Sequence, residues 1–201
     1  MKISYPIIGL SLLFTLASCD IHSTRTVIGY GDPESEEIEI AAFSGVNVCG
    51  TCNVDVSIGK SQSLVVSAQP QIHEALSYKV SSGTLHIGVK PGFNIHTDEE
   101  IKATVVVPSF DFAGITGEGH FHISGSAQEN LDIHVSGAGN IDAFDMEVSQ
   151  CNIHVNGVGN CDVNVSEFMQ VVISGTGLVR YMGNPELESS IQGLGRVEAM
   201  D

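Results

Sequence analysis

Gly117-Glu118-Gly119, Gly137-Ala138-Gly139, Gly157-Val158-Gly159, Gly175-Thr176-Gly177 and Gly193-Leu194-Gly195 recur along the second half of the chain, each flanked by short apolar alternations. Their first glycines are 20, 20, 18 and 18 residues apart. A unit of this length cannot bury its own apolar face, so neighbouring copies must stack on one another. A strand alternates faces with period two, which sorts the aligned columns into inside and outside. Leu131, Cys151, Met169 and Leu187 stand six residues before the first glycine, and Ile133, Ile153 and Val171 four before. Ile115, Val135, Val155, Ile173 and Ile191 stand two before, and Phe121, Ile141, Cys161, Val179 and Val197 two after the second glycine. These columns are expected to form the core. The interleaved columns, His134 over His154, Asn140 over Asn160, and Asp142, Asp162, Arg180 and Glu198, are expected to form outward ladders at a spacing of about 4.8 Å. Each Gly-x-Gly reads as the turn between the two strands of a rung, with glycine supplying φ > 0. The implied architecture is all-β, a parallel β-solenoid.

Composition agrees with one exported domain. The 201 residues include 22 Gly and no Trp, and only 16% are charged, which suits strands and turns better than amphipathic helices. With 8 Lys and Arg against 24 Asp and Glu, the net charge of −16 speaks against a nucleic-acid groove. The acidic run Asp32, Glu34, Glu36, Glu37 and Glu39 reads as a solvated linker.

At the amino terminus, Lys2 precedes an apolar stretch from Pro6 to Ala17, of signal-peptide length and too short to span a bilayer. It ends in Leu16-Ala17-Ser18-Cys19, which resembles the lipobox of bacterial lipoproteins. That resemblance implies a signal peptide over 1–18, acylation of Cys19, and an acidic flexible tether over 19–37 ahead of a domain at 38–201. Asp20 resembles an inner-membrane retention signal of some enteric bacteria, and the choice between outer membrane and the periplasmic face of the inner membrane stays open.

Residues 38–108 have a different texture. Strands are expected over 38–43, 46–58, 64–68, 78–80, 85–89 and 101–107, with a short helix over 70–76 opened by Pro70. They are read as irregular rungs that cap one end of the stack.

The succession Phe43-Ser44-Gly45-Val46-Asn47-Val48, Cys49-Gly50-Thr51-Cys52-Asn53-Val54, Gly59, Leu76 to Val80, Gly83-Thr84-Leu85-His86-Ile87 and Val105-Val106-Val107-Pro108, followed by the Gly-x-Gly rungs, resembles the head GIN domain family. The likeness spans about residues 40 to 200. It implies a right-handed β-helix-like fold, an adhesin role, and export as a lipoprotein in bacteria such as the Bacteroidetes; it brings no catalytic or ligand residues. The chain departs from the family at Cys52, where an aromatic or aliphatic residue is usual, and at Cys49, where Ser or a similar residue is usual.

Cys49 and Cys52 form a C-G-T-C turn, open to reading as a disulfide, a redox pair or half of a metal site. No helix pattern follows to lower a thiol pKa, so a structural disulfide ranks first. Cys151 and Cys161 occupy inward columns, bonded or free. His134 over His154 and the pair His120/His122 supply only pairs of imidazoles where a closed zinc site needs four converging ligands, so no metal and no cofactor is expected. His73-Glu74 lacks the second histidine of H-E-x-x-H, because position 77 is serine. The Gly-x-Gly pairs lack the third glycine and the helix of a dinucleotide loop, and neither a G-x-S-x-G elbow nor a P-loop occurs. Asp142 and Asp162 beside Arg180 are the best catalytic candidates, since stacked carboxylates can form an acid-base pair. Arg180 can equally neutralise the ladder without chemistry.

The expected function is a lipid-anchored, non-enzymatic β-solenoid of the bacterial envelope that binds an envelope protein or glycan. A carbohydrate-active β-helix enzyme is the alternative, separated by whether the acidic ladder lines a cleft; an envelope sensor or assembly factor is a third class.

Overall fold

The computed structural model describes residues 24–200, so the signal segment, Cys19 and the first part of the expected tether lie outside the described residues. The first half of the chain forms β1 (Arg25–Ile28), β2 (Glu34–Glu37), β3 (Gly45–Val48), β4 (Asn53–Ile58), β5 (Ser63–Ala68), a single helical turn α1 (Pro70–His73), β6 (Leu76–Ser81), β7 (Thr84–Val89), β8 (Phe93–His96) and β9 (Lys102–Val107). The second half forms β10 (Phe112–Ile115), β11 (Glu118–Ser124), β12 (Gln128–Val135), β13 (Ala138–Val155), β14 (Val158–Ile173), β15 (Thr176–Met182), β16 (Glu186–Ile191) and β17 (Leu194–Ala199). Fifteen of these strands join one large, mixed, curled sheet, while β1 and β8 pair in parallel as a separate two-stranded ribbon.

Two runs of neighbours make up the large sheet. One is β6-β7-β3-β10-β12-β13-β14-β16 and the other is β2-β5-β9-β4-β11-β13-β14-β15-β17. The long strands β13 and β14 belong to both runs: β13 pairs with β11 through its first residues and with β12 through its last. Along each run the repeating copies pair in parallel at the spacing of the glycine motif. Leu131 faces Cys151, which faces Met169, which faces Leu187, and Ile141 faces Cys161, which faces Val179. The two inward faces meet in one hydrophobic core that includes Ile133, Ile153, Val171, Ile141, Cys161 and Val179. Each such aliphatic side chain removed from water contributes roughly 1.5–3 kcal/mol.

The first half of the chain builds onto the same two runs. β3 lies in parallel between β10 and β7, and β4 between β11 and β9. Beyond them the pairing turns antiparallel, with β6 on β7, β5 on β9 and β2 on β5.

Several expectations change. The strand expected over 46–58 is two strands, β3 and β4, separated by a corner at residues 49–52. Residues 38–43 form no strand, although the Ile38 amide donates to the Leu64 carbonyl. The expected helix shrinks to one turn. The segment expected as tether holds β1 and β2: Val27 is buried against the core, and β2 pairs with β5 while all four of its residues stay exposed. An antiparallel ladder along an otherwise bare edge needs no apolar side chains, which is why a run of glutamates can be a strand there.

The motif glycines serve another purpose than the one expected. Among the described glycines, positive φ occurs at Gly31, Gly83, Gly92, Gly125 and Gly183, none of which lies in a Gly-x-Gly. Instead, the corners stack backbone on backbone. A Cβ on Gly137 would lie 1.9 Å from the Gly117 carbonyl oxygen, and one on Gly157 would lie 1.9 Å from that of Gly137. Amides at each corner donate to the corner before, Ala138 to Gly117 at 2.9 Å and Val158 to Gly137 at 2.9 Å. The same contact continues one step further back, where Glu118 donates to Gly50 at 2.8 Å. Gly50-Thr51-Cys52 is therefore a sixth corner, with Cys52 in the place of the second glycine.

Candidate functional site

The stacked corners leave a groove on the outside of the sheet. Gly119, Gly139, Gly159 and Gly177 line it with bare backbone, between a ridge of Ala138, Val158 and Thr176 and a row of His120, Asn140 and Asn160. It encloses about 420 Å³. A second hollow of about 430 Å³ shares Asn160, Thr176 and Gly177 with it and continues over Leu178, Leu194, Gly195 and Arg196. Together they form a trough crossing successive rungs. Its floor is a by-product of the glycine requirement at the corners, since any side chain there would strike the rung before.

The polar side of the trough is held by an amide ladder. Asn53 Oδ1 accepts from the His120 amide at 2.8 Å, Asn140 Oδ1 from the Asn160 amide at 3.0 Å, and Asn160 Oδ1 from the Leu178 amide at 3.1 Å. Asn140 Nδ2 lies 3.2 Å from His120 Nδ1. Each asparagine thus satisfies a backbone N–H of the following rung, which locks its side chain in place. The opposite ridge is mixed, Glu118 and Thr176 standing in line with Ala138, Val158 and Leu194, and its apolar members Val158 and Leu194 are 59% and 79% exposed. A trough with a hydrogen-bonded polar wall and a ridge that exposes Val158 and Leu194 can hold an elongated ligand by hydrogen bonds and apolar contact. Glu118, His120 and Arg196 are its titratable lining residues. Asn140 over Asn160 is legible in the sequence columns; Asn53, from a strand 67 residues before His120, is not.

The acidic ladder runs on a different column, and neither groove is lined by Asp142 or Asp162. Asp162, whose side chain is only 15% exposed, takes a bidentate pair of hydrogen bonds from Arg180, through Nε at 2.7 Å and through Nη2. The hydrogen bonds to Asp162, with its charge, hold the Arg180 guanidinium above its ordinary pKa. His122 joins the same ladder, 3.5 Å from Asp142 and 3.9 Å from Asp145, and at its far end Lys102 bonds Asp55 at 2.6 Å. Asp142 and Asp162 are neighbours in the column, and cations flank the carboxylates, Arg180 at Asp162 and Lys102 at Asp55.

His134 and His154 do stack, edge to face at 5.0 Å between ring centroids, and Phe112 extends the row at 5.4 Å from His134. Partial burial, then the neighbouring His154, lowers the His134 pKa, which favours its neutral imidazole. Among the described residues no group of three His, Cys, Asp or Glu is placed to hold a metal ion.

The candidate disulfide between Cys49 and Cys52 is not formed. The two thiols lie on opposite sides of the corner. Cys49 is exposed, with its sulfur 3.1 Å from Asn47 Nδ2 and 3.9 Å from His86 Nδ1, while Cys52 is buried and donates to the Asn53 carbonyl. Cys151 and Cys161 are also free and buried. Burial pushes the Cys52 and Cys161 thiols up to about 12, and raises Cys151 as well, so all three stay protonated and behave as small apolar groups.

The profile of a family described as "Putative auto-transporter adhesin, head GIN domain" matches this chain over residues 42–130 and again over 113–185. No functionally curated protein matches it. Among solved structures, a putative adhesin from Bacteroides fragilis NCTC 9343 is similar with a TM-score of 0.61 at 16% identity, covering 87% of this chain and all (100%) of that one, which is a likeness of fold. A putative adhesin from Parabacteroides merdae ATCC 43184 is similar at a TM-score of 0.46 and 14% identity over 89% of this chain and 100% of that one. A putative lipid binding protein from Parabacteroides distasonis ATCC 8503 is similar at 0.42 and 18% over 88% and 100%.

Proposed function

This chain belongs to the head GIN domain family, and on that premise we propose that it is a non-enzymatic, exported lipoprotein presenting a rigid surface for adhesion to an envelope protein or glycan. In this reading the two runs of strands are the walls of a right-handed parallel β-solenoid, and residues 24–107 are its irregular first rungs. Residues 1–18 are the signal peptide, Cys19 carries the lipid, and a tether shorter than the sequence suggests ends where β1 begins. The protein then sits at the bacterial envelope, on the outer membrane or the periplasmic face of the inner one.

The observation that carries the reading is the trough over the corners, a preformed concave surface crossing several rungs whose polar wall is already hydrogen-bonded in place. Preorganisation lowers the cost of binding an elongated ligand. The enzyme alternative is weaker, because its carboxylates stand outside the trough and Asp162 is engaged by Arg180.

The test is a panel of envelope glycans and surface proteins screened for binding and for turnover, with Val158→Arg as the blocking variant. Val158 is exposed, so the substitution fills the trough without touching the core. Loss of binding by more than tenfold in the folded variant is expected. A turnover that Asp142→Asn with Asp162→Asn abolishes would instead establish the enzyme. Labelled fatty acid should enter the parent protein and not Cys19→Ala; incorporation into the variant would refute the lipid anchor.

A further inference from the structure

The two ends of the strand runs are finished differently. At one end lie β6 and β2, both placed by antiparallel pairing, and β2 exposes Glu34, Glu36 and Glu37. At the other end lie β16 and β17, each with a single neighbour among the described residues, β14 and β15. Among the described residues the outer edges of these strands have no backbone partner, which makes them a template for a further strand. Their apolar residues are open as well. Leu131, Cys151 and Met169 are 1%, 0% and 0% exposed, but Leu187 in the same column is 38% exposed; Val135, Val155 and Ile173 are each 0% exposed, but Ile191 is 42%. Two of the columns that form the core elsewhere are thus part-open at the last described rung, where the column between them carries Ser189.

Charge says what covers it. Glu186 and Glu188 stand beside Leu187 on β16 with no cationic partner among the described residues, Glu188 only accepting from Gln170 at 3.2 Å. On β17, Arg196 is already engaged by Glu198. A second copy of the chain is disfavoured. Tail to tail, Glu186 and Glu188 of both copies would crowd one short ladder with no cation between them. Head to tail, Lys79 on β6 would suit β16, but the glutamates of β2 would then face β17 and Glu198. Like charges directly opposite one another destabilise a strand pair.

We propose that the free edge of β16 captures an extended segment of a partner protein, in which apolar residues alternate with Lys or Arg, as an added strand. The apolar residues cover Leu187 and Ile191, the basic ones pair with Glu186 and Glu188, and main-chain hydrogen bonds continue the sheet. The proposal rests on the protein being a binding module, and it needs neither the trough nor the acidic ladder.

The experiment uses the full chain in detergent and a fluorescent ten-residue peptide alternating Val and Lys, read by anisotropy. Controls are a Val/Glu alternation and a peptide of the same Val and Lys content with its lysines in one block. The block peptide separates strand addition from attraction to a protein of net charge −16. The alternating Val/Lys peptide should bind at least tenfold tighter than either control. Glu186→Gln with Glu188→Gln, and separately Leu187→Asn with Ile191→Asn, should each weaken it at least tenfold; these side chains are exposed, and unchanged melting would show the fold intact. Equal binding of the block peptide, or full binding by either folded double variant, would overturn the proposal. So would self-association that competes with the peptide and strengthens in Glu186→Gln with Glu188→Gln, which would assign the edge to a second copy. A glycan turnover with peptide capture intact would remove the non-enzymatic reading alone, whereas adhesion persisting without peptide capture would remove this proposal alone.

Discussion

Residues 112–199 and residues 24–107 feed one core, but they do so by different routes. In the second half every rung is 18 or 20 residues long and stacks directly on the one before, so the chemistry of one corner is repeated at the next. In the first half the chain lays down β3, a corner and β4, then leaves to form β5, α1 and β6 before returning as β7 and β9. The excursions hide the repeat without breaking it: β3 and β4 continue the same parallel runs, and Val46 and Val54 are as buried as Ile153. A sequence period therefore reports where insertions are absent, not where the architecture begins.

If the two halves share one core, the largest effects should be equal in both. Ile153→Asp and Val46→Asp each put a carboxylate among fully buried side chains and should cost about 4 kcal/mol or more, or prevent folding. His154→Asp, one residue along and facing outward, should stay within about 0.5 kcal/mol. Denaturant titration of the three variants checks this. A mild loss at Val46 beside a severe one at Ile153 would divide the halves into separately stable units.

The corners should separate the halves where the core does not. A Cβ on Gly157 meets the Gly137 carbonyl at 1.9 Å, which only backbone movement can relieve, so Gly157→Ala should cost about 3 kcal/mol. At Gly50, the first corner, the nearest atom to an added Cβ is 3.6 Å away, an ordinary contact, because no Gly-x-Gly corner precedes it and its Cβ faces Gly88 and Val89 instead. Gly50→Ala should be neutral to within about 0.5 kcal/mol. Thermal melting decides, and equal losses would show that the motif glycines serve a backbone conformation common to both corners rather than the stack.

These contrasts also mark what was legible in the sequence. Side-chain alternation follows from strand geometry alone, so the inward columns from Leu131 to Met169 and the outward Asn140/Asn160 and Asp162/Arg180 pairs could be read directly. The role of glycine could not, since a requirement for φ > 0 and a requirement for close approach leave the same residue. The corner at Gly50-Thr51-Cys52 was masked twice, by the 67 residues between its strand and the next rung and by Cys52 in place of a glycine. Read as a C-x-x-C it suggested a disulfide; as a corner, it must turn one thiol out and the other in. β2 escaped because four exposed residues, three of them glutamate, carry no alternation at all. The trough was half visible, its asparagine wall in the columns and its glycine floor only in three dimensions.

The smallest expected effect compares one buried thiol from each half, Cys52 at the first corner and Cys161 in the repeats. Burial pushes both up to about 12, Cys52 against a weaker lowering by the Ala103 backbone amide and Cys161 with a further rise from the charge of Asp162. An unfolded chain releases the same protons near the ordinary thiol pKa of about 8.5. Between those values the folded state binds more protons than the unfolded one, so stability is whole below pH 8.5 and falls as pH rises toward 12. The loss should be about 2 kcal/mol per thiol by pH 10. Cys52→Ala and Cys161→Ala should each start lower at pH 7, through the volume removed, yet decline less steeply than the parent above pH 9. Stability measured by urea titration at pH 7, 9 and 10 gives the slopes. A flattened slope in Cys161→Ala alone would mean that Cys52 is open to solvent and that the first corner is looser than those stacked upon it.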